Sequence, residues 1–592
     1  MLSLSKFCSS KGIKTTLTTN LNKKSNFTFR FHSTLENGVK LYQNNIKELQ
    51  FQPQEFINDL SNFITLKNKR VNAVISQRKK DFILKGISKE FPSDTCKNPD
   101  SELQYKNKYT SSMTSNENLG TSSQKNINSR NPGLLMFIKD NIATTNEYTT
   151  CSSKSLENYL SPYDATVVEL LEKSGAVILG KTNMDEFGMG STSTKSVFGP
   201  VKHQMNTSDG KNLLNIISSH SADNLLNPKV ISSIENDRHV QDRCAGGSSG
   251  GSAVAVASRF CNAALGSDTG GSVRLPAAWT GVVGFKPSYG KCSRHGLIAY
   301  ANSLDTIGIL AESVETTKRE YYVTELSESV LNAWKDVADI LESMGATVTQ
   351  ASLPNTKYGL STYYTIISAE ASSNMSRYDG IRYGHRSSGV GLDIDGHDAG
   401  SKYANTRSEG LGSEVKRRII LGNYVLSLGA YDDYYTQALK MRQLILRDFN
   451  NVFSLANPLD WALEELDSLP DENVLFNDSG VDLILMPTSV STSPILSDNE
   501  SNTKDTDSVH EYVNDAMTVP TSLAGVPTIC VPVGISAKDG FPIGLQLAGQ
   551  YGDDELVLEV ANLLQKKLFD ASKYQGLFGS DNQLSLVPKS LY

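Results

Sequence analysis

Apolar and polar positions follow two alternating patterns along this chain. Residues 167, 168, 170 and 171 are apolar at helical spacing, Asp164 before them is a favourable helix N-cap, and Gly175 ends the pattern. Residues 176–179, which read AVIL, form a continuous apolar run that is typical of a buried strand. The spacing therefore predicts a helix followed by a buried strand.

The same order recurs further along the chain. Residues 330–344 predict a second amphipathic helix, Gly345 marks its end, and residues 346–349 predict a second strand. Residues 481–486 predict another buried strand and residues 556–568 another amphipathic helix. Repeated helix–strand units favour an α/β fold in which helices cover a β-sheet.

Three polar segments interrupt this pattern. Residues 93–130 are rich in Ser, Asn, Lys and Thr, residues 205–241 contain Asn, Ser and Asp clusters, and residues 495–509 are polar and acidic. Such compositions bury too little apolar surface to offset the entropy of ordering the chain. We therefore predict surface insertions at these places, within one domain that spans residues 36–592.

The composition of the 592-residue chain is that of an ordinary soluble globular protein, with 39% apolar and 20% charged residues. Its formal net charge is −7, whereas nucleic-acid binders usually carry a basic surface, so any contact with RNA is assigned to a partner chain. The sequence contains no run of about 18 apolar residues that would predict a membrane-spanning helix. The seven cysteines form no CxxC motif, which disfavours a disulfide framework and a zinc site.

The first 35 residues differ from the rest of the chain. They are rich in Ser and Thr and contain no acidic residue before Glu36. Their basic residues are Lys6, Lys11, Lys14, Lys23, Lys24 and Arg30. This composition predicts a mitochondrial transit peptide over residues 1–35, with a simple basic tail as the alternative.

Two Gly/Ser-rich blocks carry the candidate chemistry: GGSSGGS at residues 246–252 and GSDTGGSVR at residues 266–274. Glycines let backbone N–H groups approach a ligand, and acyl transfer needs a nucleophile, a proton acceptor and an oxyanion hole. A flexible linker is the alternative, although apolar residues flank both blocks. Residues 246–250 also match G-x-S-x-G, but no histidine lies in a recognisable triad context, and the G-K-[ST] ending of a phosphate-binding loop is missing.

These blocks resemble those of the amidase signature family. The resemblance makes Ser272 the nucleophile and Ser248 the bridging serine, and it matches the catalytic lysine to Lys139 in the turn KDN. It implies a central mixed β-sheet covered by helices on both faces, and a cis peptide bond before Ser248. The oxyanion hole then falls in the turn before the nucleophile, at the backbone amides of Thr269, Gly270 and Gly271.

Four further stretches resemble the A-type subunits of glutamine-hydrolysing glutamyl-tRNA(Gln) amidotransferases: SRYDGIRYG at 376–384, RSEGLGSEVKRR at 407–418, YDDYY at 431–435 and YVND at 512–515. Free glutamine carries an α-carboxylate and an α-ammonium group. The resemblance assigns Arg442 to the carboxylate, which arginine binds in bidentate fashion, and Asp515 to the ammonium. It also assigns a supporting hydroxyl to Tyr383 and places Gly190 and Ser191 near the amide.

This resemblance implies hydrolysis of glutamine through a Ser–Ser–Lys relay, with the ammonia passed to a partner subunit that converts Glu-tRNA(Gln) to Gln-tRNA(Gln). It implies B-type and C-type partner subunits in the mitochondrial matrix. ATP and magnesium are expected on the partner, and no cofactor, metal or membrane contact is expected for this chain. Two alternatives stay open: a stand-alone amidase acting on small or fatty amides, and a non-catalytic assembly subunit.

Overall fold

The computed structural model describes residues 3–4, 53–78, 83, 134–206, 240–313, 327–388, 399–461, 477, 479–496, 512–536 and 538–570. Apart from Ser3 and Leu4, the predicted transit peptide lies outside these residues, as does the predicted insertion at 93–130. Residues 207–239 and 497–509 of the other two insertions also lie outside them. The prediction of a surface insertion is wrong at the two ends of the 205–241 segment. These ends belong to two paired strands, with Met205 opposite Gln241 and Asn206 opposite Val240.

The strands build one large sheet and one small one. In chain order they are β1 (Ser3–Leu4), β2 (Val74–Gln77), β3 (Leu135–Lys139), β4 (Val177–Thr182), β5 (Lys202–Asn206), β6 (Val240–Cys244), β7 (Ala263–Asp268), β8 (Val283–Lys286), β9 (Thr306–Ala311), β10 (Val348–Thr349), β11 (Leu483–Pro487), β12 (Thr528–Ile535) and β13 (Pro542–Gly549). The large sheet has the order β10-β1-β11-β13-β12-β8-β9-β7-β3-β4-β2, and β5 pairs with β6 separately.

The α-helices of the described residues lie against the large sheet or pack on other helices. They are α1 (Pro53–Val71), α2 (Thr166–Lys173), α3 (Gly250–Ala257), α4 (Arg274–Thr280), α5 (Glu328–Ser343), α6 (Gly359–Met375), α7 (Ala399–Gly410), α8 (Ser413–Val425), α9 (Thr436–Val452), α10 (Pro458–Trp461), α11 (Val519–Leu523) and α12 (Asp554–Asp570). Across the described ranges, none of these helices has the length and apolar character needed to span a membrane.

The large sheet is mixed and is covered on both faces. Strand β3 runs parallel to β4 and β7, whereas β7 is antiparallel to β9 and β12 is antiparallel to β13. Successive residues of a strand face opposite sides of a sheet. Phe137 packs with Val254 of α3 and Leu275 of α4, whereas its neighbour Met136 packs with Val168 of α2. The predicted fold class is therefore confirmed.

Most of the elements predicted from the hydrophobic pattern are present. Helix α2 ends before Gly175, whose φ is +97°, and is followed by the fully buried strand β4. Helix α5 ends before Gly345, whose φ is +89°, and strand β11 and helix α12 also lie where they are predicted. The strand predicted at 346–349 is shorter, since only the two residues of β10 are paired.

The predicted N-cap of α2 is wrong. The cap position is occupied by Ala165, which makes no side-chain capping bond. The Asp164 carboxylate instead accepts hydrogen bonds from the Thr145 backbone N–H at 2.8 Å and from its hydroxyl at 3.1 Å. Asp164 therefore ties the helix to the preceding loop rather than closing its first turn.

Candidate active site

Lys139, the predicted catalytic lysine, lies at the carboxyl end of the parallel part of the sheet, next to Ser267. Lys139 is the last residue of β3, and Ser267 is the second-last residue of β7. The pairing of Ile138 with Leu265 aligns the two strands, so both side chains reach the same edge. Carboxyl ends of parallel strands are the usual place for ligands in open α/β sheets.

Lys139 is fully buried and makes three close polar contacts. Its Nζ lies 2.7 Å from Ser248 Oγ, 2.9 Å from Ser267 Oγ and 3.3 Å from the Ser267 carbonyl oxygen. Burial lowers the pKa of Lys139 to about 7, although the negative charges of Asp185 and Asp268 act in the opposite direction. A large fraction of this amine is therefore uncharged near neutral pH and able to accept a proton.

The loop that carries Ser248 packs tightly against Asp185. The peptide bond between Gly247 and Ser248 is cis, as the family resemblance implies. The Ser248 carbonyl accepts a hydrogen bond from the Asp185 backbone N–H at 3.2 Å. A Cβ atom at Gly247 would lie only 2.1 Å from Asp185 Oδ2, so a side chain at this position would displace the buried carboxylate. Position 247 therefore requires glycine, because there is no room for a side chain.

The loop that carries Ser272 lies directly against the Ser248 loop. The backbone N–H of Ser249 donates to the Ser272 carbonyl at 3.1 Å. Gly270 and Gly271 let this turn pass close to its neighbours, since Cβ atoms there would lie 2.3 Å from the Tyr363 hydroxyl oxygen and 2.1 Å from Thr518 Oγ1, respectively. The two serine blocks of the sequence thus form one packed unit rather than a flexible linker.

A buried ion pair fixes the start of the helix that follows Ser272. Arg274 donates to both carboxylate oxygens of Asp268, at 2.9 and 3.0 Å, and Asp268 also accepts from the Val273 backbone N–H at 3.1 Å. Burial alone would raise the pKa of Asp268, but the charge and hydrogen bonds of Arg274 lower it. Asp268 is therefore an anion that holds both ends of the turn that carries Ser272.

Gly190 and Ser191 lie beside the Ser248 loop, and their predicted place near the substrate amide stays a prediction. A Cβ atom at Gly247 would stand 2.8 Å from the Ser191 carbonyl carbon, and Ser191 is buried. Gly190 has a φ of +156°, and a Cβ atom there would lie 2.5 Å from the Asp185 carboxyl carbon. This turn and the Ser248 loop therefore share the Asp185 carboxylate as their common support.

Asp515 is connected to the turn that carries Ser272 through a tyrosine pair. The Tyr364 hydroxyl donates to Asp515 Oδ2 at 2.5 Å, and the neighbouring ring of Tyr363 lies against Gly270. The guanidinium carbon of Arg418 lies 5.2 Å from the centre of the Tyr364 ring. The structure thus brings the predicted ammonium partner close to the predicted oxyanion turn.

The sequence comparisons agree with this geometry. The sequence pattern of the family described as Amidase matches residues 107–209, 236–325 and 316–558. The chain belongs to the amidase family.

Several members of the amidase family resemble this chain over most of its length. The mitochondrial A-type subunit of the glutamyl-tRNA(Gln) amidotransferase of Ajellomyces capsulatus is 42% identical over 500 residues, which cover 73% of this chain and 89% of that protein. The protein of the same name from Coccidioides posadasii is 44% identical over 482 residues, which cover 73% of this chain and 88% of that protein. The crystal structure of the corresponding A-type subunit from Thermotoga maritima superposes with a TM-score of 0.52 and 27% identity, covering 86% of this chain and 90% of that one.

Two of the predicted substrate residues of this amidase-family chain make only structural contacts in the described part of the molecule. Arg442 donates through Nη2 and Nη1 to the carbonyl and hydroxyl oxygens of Ser303, at 2.9 and 3.0 Å, and through Nε to the Leu523 carbonyl at 3.0 Å. Tyr383 is 42% exposed, and its hydroxyl donates to the Arg377 carbonyl at 3.3 Å. Their substrate roles stay predictions that rest on the resemblance.

Sequence reasoning missed three residues that support the site. Ser267 contacts the lysine amine, Asp185 supports the Ser248 loop, and Asp305 accepts a hydrogen bond from the Thr269 hydroxyl at 2.7 Å. Ser267 stands inside the block GSDTGGSVR, five residues before the nucleophile, so the motif itself was the available signal. Asp185 and Asp305 lie outside both blocks, and only the tertiary structure brings them to the site.

Proposed function

We propose that this chain is the glutamine-hydrolysing A-type component of a glutamyl-tRNA(Gln) amidotransferase. The observation that carries the chemistry is the 2.7 Å contact between the buried Lys139 amine and the Ser248 hydroxyl. The two fungal relatives supply the substrate class, since they bear the name of this component and are similar to about three quarters of the chain. Stand-alone turnover of small or fatty amides is less favoured, because the relatives named are subunits.

The proposed reaction begins when Ser272 Oγ attacks the side-chain carboxamide carbon of glutamine. The Ser272 proton passes to Ser248, and the Ser248 proton passes to the neutral Lys139 amine. The amides of Thr269, Gly270 and Gly271 would donate to the developing oxyanion. The tetrahedral adduct collapses, the C–N bond breaks, and the nitrogen takes a proton back through the relay and leaves as ammonia.

The second half of the reaction releases the acyl group. Ser272 then carries the γ-carbonyl of glutamate as an ester, and the neutral relay accepts a proton from an attacking water molecule. The ester C–O bond breaks and the Ser272 hydroxyl is restored. The net change is glutamine and water to glutamate and ammonia.

Recognition of glutamine is proposed to use opposite charges at two places. Asp515 would pair with the α-ammonium and Arg442 with the α-carboxylate, with Tyr383 as a supporting hydroxyl. The three hydrogen bonds of Arg442 within the described residues use three of its five N–H donors, which leaves one donor on each terminal nitrogen for a carboxylate. Burial lowers the pKa of Arg442, but arginine remains charged at neutral pH.

The ammonia would be used by a partner subunit. We assign B-type and C-type subunits as partners, with Glu-tRNA(Gln), ATP and magnesium bound mainly by the partner. The fungal relatives are named as mitochondrial proteins, which confirms the mitochondrial location predicted from the first 35 residues. The matrix, where mitochondrial translation takes place, is the proposed compartment.

Purification of the native protein with its bound partners tests this function. The complex should convert Glu-tRNA(Gln) to Gln-tRNA(Gln) when supplied with glutamine and ATP, and it should release one glutamate for each ammonia. Turnover of simple amides without any glutamate release from glutamine, with or without partners, would favour a stand-alone amidase instead.

The Tyr364 hydroxyl should contribute to glutamine binding. Burial, followed by the charge of Asp515, raises the pKa of Tyr364, so its hydroxyl stays protonated and orients the Asp515 carboxylate. Tyr364→Phe should therefore raise the KM for glutamine about tenfold with little change in kcat, as expected for a lost hydrogen bond to a charged group. Steady-state glutaminase assays measure both constants. Tyr358→Phe is the control, because Tyr358 is an exposed tyrosine just before α6, the helix that contains Tyr364. An unchanged KM in Tyr364→Phe would contradict the assignment of Asp515 to the α-ammonium group.

Glutamine hydrolysis should depend on pH through Lys139. Only the uncharged amine can accept a proton, and the neutral fraction grows as pH rises through a pKa of about 7. We therefore expect kcat/KM to rise about tenfold per pH unit below that value and to level off above it. A profile of kcat/KM between pH 5 and 9, each limit being about two units from the pKa, tests this; a flat acidic side would exclude a titrating lysine base.

A further inference from the structure

The Lys139 amine is surrounded by oxygen atoms whose hydrogen-bonding abilities differ. A neutral amine has two N–H bonds and one lone pair. The carbonyl oxygen of Ser267, at 3.3 Å, can only accept, so it must face an N–H bond. The hydroxyls of Ser248 at 2.7 Å and Ser267 at 2.9 Å could each accept or donate. The direction of the proton relay therefore depends on which hydroxyl the lone pair faces.

The Ser267 hydroxyl oxygen accepts one hydrogen bond from a neighbour and keeps a second lone pair for an N–H bond of the amine. The side-chain amide of Asn141 donates to Ser267 Oγ at 2.9 Å, and both residues are buried. The Ser267 carbonyl is held as well, because the Ser249 hydroxyl donates to it at 3.2 Å. Both oxygens of Ser267 are thus held by neighbours, Asn141 in the turn after Lys139 and Ser249 in the loop that carries Ser248.

From these contacts we propose that Ser267 is a positioning residue that accepts both N–H bonds of the neutral Lys139 amine. The remaining lone pair of the amine then points at the Ser248 hydroxyl, whose proton the amine must remove. This inference rests on the proposed function and deepens it, because it explains why one residue contributes both its side chain and its backbone to the amine. Without the Ser267 hydroxyl, the amine could rotate and present an N–H bond to Ser248 instead.

The ionisable groups around Lys139 do not replace the hydrogen bonds between its amine and Ser267. Asp185, Asp268 and Asp305 favour the charged form of the amine from three surrounding segments, and the nearby Cys151 thiol stays uncharged because burial raises its pKa. Among the described residues, the direct hydrogen bonds of Lys139 Nζ go to Ser248 and Ser267. Removal of the Ser267 hydroxyl should therefore alter the orientation and the titration of the amine while these four groups stay in place.

Ser267→Ala in the assembled complex tests the proposal. We expect kcat for glutamine hydrolysis to fall about tenfold to a hundredfold with KM within about twofold, because the effect lies on proton transfer. The charged amine, with three N–H bonds, loses more from a missing acceptor than the neutral amine does. The acidic limb of the pH profile should therefore move to lower pH by about half a unit or more.

Ser252→Ala is the matched control. Ser252 is also fully buried, and its hydroxyl donates to the Leu265 carbonyl at 2.9 Å and lies 2.7 Å from the Thr182 hydroxyl, so the substitution removes a buried hydroxyl without touching the amine. Its pH limb should match that of the wild type. If Ser267→Ala does not assemble, Ser267→Gly carries the same expectation, because it also removes the hydroxyl and introduces no new polar or ionisable group.

The outcomes separate this inference from the proposed function. A wild-type complex without glutaminase activity would refute the function itself. An active wild type together with a Ser267→Ala or Ser267→Gly variant whose pH limb is unmoved, or whose loss lies entirely in KM, would refute the positioning role alone. A lowered kcat with a shifted limb, absent from Ser252→Ala, is the result that the proposal predicts.

Discussion

Ser272→Ala should reduce glutamine hydrolysis by the assembled complex at least about 10⁴-fold, because it removes the atom that forms the acyl-enzyme. Ammonia release measured by a coupled assay, with ATP-dependent formation of Gln-tRNA(Gln) in parallel, gives the loss for both activities. Exogenous ammonium should restore the formation of Gln-tRNA(Gln), since the proposed partner uses ammonia and not glutamine directly.

The Ser272→Ala complex should assemble normally. The substitution deletes one hydroxyl from a turn that is held by backbone contacts and by the Asp268–Arg274 pair. Ser252→Ala serves as the comparison for loss of a buried hydroxyl nearby. Ammonia release by Ser272→Ala at a rate close to that of the wild type would exclude Ser272 as the nucleophile and would revive the non-catalytic reading of the chain.

Lys139→Met should be nearly as damaging, with an expected loss of about 10³- to 10⁵-fold in kcat/KM. Methionine has a similar length and tolerates burial, but it cannot accept a proton. Lys139→Arg should also be inactive, because arginine stays protonated at neutral pH. Steady-state kinetics of both variants measure the loss, and any residual activity of Lys139→Met should lack the acidic limb near pH 7.

Thermal unfolding distinguishes this loss from misfolding. Lys139 is fully buried and its charged form is disfavoured there, so methionine should not lower Tm. Lys181 is the informative contrast, since its buried amine lies 3.8 Å from Asp140 and bonds to the Ile142 carbonyl. Lys181→Met should lower Tm by leaving a buried carboxylate unpaired. A Lys139→Met complex that folds normally and keeps its activity would contradict the relay.

The residues that could be predicted from the sequence are those whose signal is local. Gly175 and Gly345 follow helices because their positive φ values suit glycine, and the buried strand β4 shows as an uninterrupted apolar run. The contact between Lys139 and Ser248 could be predicted because the serine stands in a distinctive block and the lysine in a short distinctive turn. In each case, neighbours in sequence carry the information.

The remainder depends on residues distant in sequence. Asp164 has the composition of an N-cap, yet it bonds to Thr145, because that loop returns to the start of the helix. Asp185 and Asp305 support the catalytic loops from positions with no distinctive neighbours. Ser267 was visible in its block, but its contact with Lys139 follows from the parallel alignment of β3 with β7, which no local pattern specifies.

The most direct test of the account is the identity of the covalent intermediate. The complex would be quenched rapidly in acid during turnover of glutamine, digested, and mapped by mass spectrometry. We predict a glutamyl ester on the peptide that contains Ser272 and its absence from Ser272→Ala, which should have lost ammonia release. A glutamyl group on a different residue, or undiminished ammonia release by Ser272→Ala, would contradict the account.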